Sequence, residues 1–210
     1  MPRLLEIFLT LALSVVALPL GCLVALLVWA GLGRPIFFRQ VRSGQGGRRI
    51  VILKFRSMNE DRDESDALLP DEARTNAIGR VIRRFRVDEI PQLLAILRGD
   101  LALVGPRPLL PETLRAFGTD AVLRGRVRPG MTGWAQVSGN SRLTDAEKVA
   151  LDLWYVDHRS AALDMAILGL TVVTLLRGEA RAEARIRVAA DVLRRRAVEA
   201  PPPSLSPGRP

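Results

Sequence analysis

From Ile7 to Gly33 the chain carries 27 consecutive residues without a charged side chain, dominated by Leu, Val and Ala. Wound as a helix at about 1.5 Å per residue, this run reaches roughly 40 Å, more than the ~30 Å hydrocarbon core of a bilayer. A chain of 210 residues offers no soluble core that would surround so long an apolar helix. The run is therefore read as a membrane segment. Its length and the lack of an A-x-A exit argue against a cleaved signal peptide. Leu20-Gly21-Cys22 resembles a lipoprotein box, but Pro19 stands where an apolar residue is wanted and the apolar run continues beyond the cysteine.

Pro19 falls near the middle of the run, where it removes a helix hydrogen bond and predicts a kink. Arg3 precedes the segment and Arg34, Arg39 and Arg42 follow it, so the positive-inside rule does not choose an orientation. A spanning helix and a helix–break–helix dipping into one leaflet, both flanks cytoplasmic, fit these residues equally well.

Charge narrows the partners. Lys+Arg is 31 against 22 Asp+Glu, a net charge of 31 − 22 = +9, which implies affinity for something anionic. Aromatics are 5% and no RNA- or DNA-binding motif is present, so no nucleic-acid partner is expected. One histidine (His158) and one cysteine (Cys22) exclude His- or Cys-based metal clusters.

The rest of the chain divides into a compact domain and a tail. Residues 1–34 form the membrane segment, 35–177 a compact domain, and 178–210 a basic, Pro-rich tail. Pro35–Val41 and Arg49–Phe55 alternate around a glycine-rich turn and predict a β-hairpin. Ala77–Arg86 has helical periodicity, Asp88 stands as the N-cap of a short helix ending at Gly99, and Asp145–His158 reads as a helix. Segments around Gly105-Pro106-Arg107-Pro108 and Arg128–Gly139 read as loops. Met165–Leu176, 12 uncharged residues, is too short to span and predicts a core or interfacial helix. The arginines after it are expected to attract anionic lipid, so that the tail serves membrane affinity and leaves the chemistry alone. The expected fold class is α+β, mostly helical.

One acidic pair, Asp88-Glu89, sits among Arg80, Arg83, Arg84, Arg86, Arg98 and Arg107. Taken alone, it reads as a helix cap and a first-turn acid favoured by the dipole. In combination, a carboxylate that can ligate hard Mg2+, with arginines that grip phosphate oxygens bidentately, suits a diphosphate substrate. Such a carboxylate could also attack phosphorus.

Four motifs then occur in order: Lys54-Phe55-Arg56-Ser57-Met58, Val87-Asp88-Glu89-Ile90-Pro91-Gln92-Leu93, Gly99 to Pro108 (GDLALVGPRP), and Arg128 to Val137 (RPGMTGWAQV). Together they resemble the bacterial sugar transferase family, the monotopic phosphoglycosyl transferases. The resemblance implies a re-entrant membrane segment on a small cytosolic catalytic domain, at the cytoplasmic face of the bacterial inner membrane. It implies transfer of a sugar 1-phosphate from a nucleotide (UDP) sugar to polyprenol (undecaprenyl) phosphate, releasing UMP. Asp88 would be the nucleophile, with Asp88 and Glu89 holding Mg2+, and Lys54, Arg83, Arg107, Asp152 and Asp164 would line the substrate site. The family commonly continues Gly-Arg-Asn after the fourth motif. Here Asn140 falls where that arginine would be, and Arg142 is the candidate substitute. The sugar, the glycan pathway and formation of a homodimer stay open. Two alternatives remain, a membrane-anchored Mg2+-dependent phosphohydrolase and a non-catalytic module binding anionic membrane lipids.

Overall fold

The computed structural model of the chain describes residues 1–199, the side chains of 195–199 excepted. The Pro-rich end of the tail lies outside the described residues. What is described is mostly helical, with two small two-stranded sheets, in agreement with the expected class.

Helix α1 spans Arg3–Leu32 and passes through Pro19 without interruption. The helix–break–helix expected from the sequence is corrected to one continuous helix. A proline inside a helix costs about 3 kcal/mol in lost bonding and steric conflict, and packing on both sides of it opposes a break. Ala17 and Gly21 are buried on either side of Pro19, and Gly21 lies against Ile90 and Phe55. Glu6, Thr10, Ala17, Gly21, Val24 and Val28 recur at helical spacing and form the buried face from one end of α1 to the other. The opposite face is bare: Phe8, Val15, Val16 and Leu18 are 66–74% exposed. Among the described residues α1 is the one helix long and apolar enough to cross a membrane.

Strands β1 (Phe37–Ser43) and β2 (Arg49–Phe55) pair antiparallel, Phe37 opposite Phe55 and Val41 opposite Val51, as the alternation predicts. Arg56, just after β2, donates to the carbonyl of Leu32, an orphan acceptor at the C-terminal end of α1, and to that of Arg34 beyond it. After the acidic loop come α2 (Asp71–Arg74) and α3 (Ala77–Arg84), then a 3-10 turn over Val87–Gln92 that leads into α4 (Leu93–Arg98). Gly99 closes α4 in the left-handed conformation.

Asp88 is not the N-cap anticipated for this helix. A capping carboxylate needs the amide two or three residues on, and Pro91 has none to give. Arg86, at φ +54°, initiates the 3-10 turn instead, and Asp88 and Glu89 occupy its first turn, both buried.

Strands β3 (Ala102–Val104) and β4 (Gly130–Thr132) pair in parallel, β4 lying inside the Arg128–Gly139 segment expected to be a loop. Their approach needs bare backbone: a Cβ on Gly130 would lie 2.0 Å from the Gly105 amide nitrogen. This contact anchors the rigid turn that carries Arg107. Between the two strands lie α5 (Pro111–Arg115) and α6 (Thr119–Arg124). Helix α7 (Asp145–His158) begins with a Thr144–Glu147 capping box, and α8 (Ala161–Arg177) begins at a Ser160 cap. Both match the predicted helices. The segment taken for a tail instead forms α9 (Glu183–Glu199), with Ile186 and Ala189 buried against Leu151 of α7. The apolar pair three residues apart was masked by surrounding arginines.

The core joins α1 to the body that follows. Ala17 packs with Ile50, Ile52, Leu93, Ile96 and Leu101, and Val24 and Val28 pack with Phe55 and Ile82.

Candidate active site

The site is built where β2, the 3-10 turn and the Gly105–Pro108 turn meet. Lys54, near the end of β2, donates to Glu89 Oε1 at 2.6 Å, and Arg107 donates to the same oxygen at 3.0 Å. Lys54 Nζ stands 3.8 Å from Asp88 Oδ2. Neighbouring carboxylates are thus placed in unlike surroundings. Burial alone would raise Glu89, but Arg107 and Lys54 outweigh it and hold the carboxyl at about 2. Burial dominates at Asp88 and pushes it up to about 6, with Glu89 reinforcing and Lys54 opposing the shift.

Asp88 opens on a cavity of about 580 Å³. Lys54, Arg56, Arg83 and Arg107 line it, joined by Arg42 from β1 and Arg74 from α2. Among the predicted residues, Lys54, Arg83, Arg107, Asp88 and Glu89 therefore come together. Arg83 also lies 3.7 Å from Asp71. Arg42 was missed, although the hairpin register makes its location legible: it lies on the same face as Lys54, on the neighbouring strand and four residues along from Phe38, the residue opposite Lys54.

Asp152, Asp164 and Arg142 fall elsewhere. Asp152 is buried in α7 and accepts from Arg124 Nε at 2.8 Å, while Arg124 also donates to the Arg107 carbonyl. Asp152 reaches the site only through that guanidinium, and its second oxygen, Oδ1, is buried without a hydrogen-bond partner. Asp164 is buried at the start of α8, where it accepts from the Tyr155 hydroxyl at 2.7 Å and from the amino group of Met1. Arg142 is exposed on a 3-10 turn and does not line the cavity. His158 stacks on Trp154, which stacks on Trp134.

No group of three or more His, Cys, Asp or Glu side chains that could hold a metal occurs among the described residues. Asp88 and Glu89 alone suit Mg2+, which keeps several waters and takes few protein carboxylates alongside substrate phosphates. With Arg62, seven cationic side chains line the cavity against Glu60, Asp71 and the buried Asp88, a set that can bind a polyanion such as a diphosphate and present an oxygen nucleophile to it.

A cationic cavity of this kind, on a small body sharing its core with a long apolar helix, suits a phosphate-bearing ligand beside an apolar outer face. The sequence profile of the bacterial sugar transferase family matches residues 1–178. An uncharacterized sugar transferase, EpsL of Bacillus subtilis, is 48% identical over 148 residues, covering 70% of this chain and 73% of that protein. Undecaprenyl-phosphate glucose phosphotransferase of Komagataeibacter xylinus is 41% identical over 182 residues, 80% of this chain but 33% of the relative. The exopolysaccharide production protein ExoY of Rhizobium meliloti is 37% identical over 179 residues, covering 76% and 79% of the two chains. Several longer relatives are matched over only 34–40% of their length. The chain belongs to the bacterial sugar transferase family.

Proposed function

We propose that this chain transfers a sugar 1-phosphate from a UDP-sugar to undecaprenyl phosphate at a membrane surface, through a covalent intermediate on Asp88. One observation carries the reading: in a single buried turn, Glu89 is neutralised by Lys54 and Arg107 while Asp88 faces the cationic cavity. Two adjacent carboxylates with diverging environments are suited to different tasks. Relatives named for glucose 1-phosphate transfer in Escherichia coli and for galactose phosphotransfer in Salmonella typhimurium support the substrate class.

In the first step an Asp88 carboxylate oxygen attacks the phosphorus that bears the sugar. The bond from that phosphorus to the bridging oxygen breaks, and UMP leaves with the electron pair. An oxygen of undecaprenyl phosphate then attacks the same phosphorus, and the Asp88 carboxylate departs, regenerated. Lys54, Arg83 and Arg107 stabilise charge on the phosphoryl oxygens. Asp88 and Glu89 would hold Mg2+, which supplies further charge neutralisation at the diphosphate.

The membrane placement follows from α1. Its buried stripe runs along one body from Glu6 to Val28, so both ends stay on the side of that body. The bare apolar face then enters the cytoplasmic leaflet of the inner membrane, with Met165, Val172, Val173 and Leu176 of α8 contributing exposed apolar surface. Arg34 and Arg39, exposed beyond α1, attract anionic head groups.

The test is UMP release by the purified chain over a panel of UDP-sugars. Release that needs both Mg2+ and undecaprenyl phosphate supports the transferase. Steady release without the lipid favours a phosphohydrolase, and none with any sugar favours a lipid-binding module. Cysteine labelling at position 4 from the periplasmic side alone would overturn the placement of α1.

A further inference from the structure

Immediately beyond the 178 residues matched by the family profile, Glu179 lies half-buried between α8 and α9 and takes four donors. Its Oε1 accepts from Arg86 at 3.0 Å and from the Asn140 side chain, and its Oε2 accepts from the Ser141 amide at 3.1 Å and hydroxyl at 2.5 Å. Arg86 is the left-handed residue that initiates the Asp88 turn, and its carbonyl accepts from the Glu89 amide at 3.1 Å. One carboxylate therefore joins the turn bearing the nucleophile to the 140–141 segment.

The residues that follow continue the same attachment. Arg181 donates to the Arg142 carbonyl at 2.7 Å, the Ala182 amide to the Ser138 carbonyl at 3.0 Å, and Arg185 to the Val137 carbonyl at 3.1 Å. Arg185 also lies 4.6 Å over the ring of Trp134, and Arg181 pairs with Glu147 of α7. Segment 137–142 is thus held along its length by 179–185, and α9 anchors the strap through Ile186 and Ala189.

We infer that Glu179 is a positioning residue: through Arg86 it holds the Asp88–Glu89 turn in register with segment 137–142, and α9 is the anchor that keeps it there. A non-glycine residue at φ +54° is uncommon and persists where surrounding contacts hold it. Arg86 has a second attraction, since its charge also acts on Glu89. Released from Glu179, the guanidinium is free to turn toward the acid pair, competing with Lys54 and Arg107. The inference also accounts for Asn140, whose side chain serves as a strap contact.

The inference rests on the proposed phosphotransfer for its kinetic arm and on nothing but the fold for its second arm. Glu179→Gln keeps the shape and removes the charge. Expected is a fall in kcat for UMP release of about tenfold, with the KM for UDP-sugar within about twofold, as for misplacement of a reacting group without loss of binding. Amide hydrogen exchange should quicken at Ser141 and at Glu89 alike. Arg86→Met cuts the link at its other end and leaves α9 docked. It should give the same kcat loss, and the double variant should be no worse than either single one. Should Glu179→Gln prove unfolded, Arg86→Met carries the test alone. Wild-type kcat in both folded variants, or faster exchange at Ser141 with Glu89 unchanged, overturns the positioning role. If the wild-type chain releases no UMP from any UDP-sugar, the phosphotransfer reading fails, and exchange at Glu89 still decides the strap.

Discussion

The 3-10 turn and the α7–α8 region both bury acids, and they use them in opposite ways. At the 3-10 turn, Glu89 takes Lys54 and Arg107, and Asp88 is left facing a cavity. At α7 and α8, Asp152 is closed on Arg124 and Asp164 on Tyr155. Both regions bury carboxylates, but Asp88 faces the larger cavity of about 580 Å³ among Lys54, Arg83 and Arg107, whereas Asp164 borders one of about 270 Å³ with its oxygens already taken by Tyr155 and the Met1 amino group. A buried ion pair is weak support for stability, because desolvation offsets its attraction, but breaking one side of it is costly. The α7 pair therefore reads as a device of arrangement: Arg124 holds the Arg107 carbonyl and so fixes the turn whose guanidinium reaches Glu89.

The largest expected effect breaks the first region. Asp88→Asn should bring UMP release to background and abolish any covalent phosphosugar adduct, since an amide does not attack phosphorus. Intact-protein mass spectrometry after mixing with UDP-sugar reads the adduct. More than a few per cent of wild-type rate would show that Asp88 is not the nucleophile.

Next comes the second region. Asp152→Asn leaves Arg124 buried without its anion and should cost about 3–5 kcal/mol, read as a drop of roughly 10 °C in Tm. Replacing both partners, Arg124→Met with Asp152→Leu, should recover most of that stability and little activity, because the Arg107 carbonyl stays unheld. Recovery of both would make the pair purely structural.

A smaller effect sharpens the contrast through pH. Asp88 is raised in the fold from an ordinary 3.8 to about 6, so the folded state binds a proton more readily than the unfolded chain. Its contribution to stability is therefore greatest at low pH and falls as pH rises through about 6. Without metal, Asp88→Asn should be more stable than the wild type at pH 7.5, and the gap should close as pH falls from about 6 to below the ordinary 3.8. Glu89, lowered from 4.5 to about 2, loses its contribution only as pH falls below about 4.5, and does so equally in both proteins. Calorimetric Tm values across the range decide this. An Asp88→Asn protein less stable at pH 7.5 would mean the Asp88 charge is favourably paired.

The smallest effect is expected at Arg142. Exposed, with its backbone amide donating to Gly139 and its carbonyl accepting from Arg181, it should tolerate Arg142→Ala with UMP release within about twofold of wild type. A KM rise of tenfold or more would place it at the substrate.

What the chain's order of residues decided by itself was local. The apolar run, the hairpin alternation, the Thr144 and Ser160 caps and the Asp-Glu pair each depend on neighbours a few positions apart, so periodicity and capping chemistry expose them. Lys54 and Arg107 were legible as site residues through ordered motifs and Arg83 through the family resemblance, and the three do converge on one cavity. What only the tertiary structure decided depends on contacts across long stretches of chain. Pro19 stays helical because both its flanks are packed on the body, and β3 pairs with β4 because Gly105 and Gly130 admit bare backbone. Asp152 and Asp164 are acids of the same type as Asp88, and nothing in their spacing tells which carboxylate finds a cation and which finds a cavity. Two buried positions among the arginines of α9, with Glu179 before them, turn an apparent tail into part of the fold. The cause is common to all of these: burial is a property of what packs opposite a residue, and the chain order does not state what lies opposite.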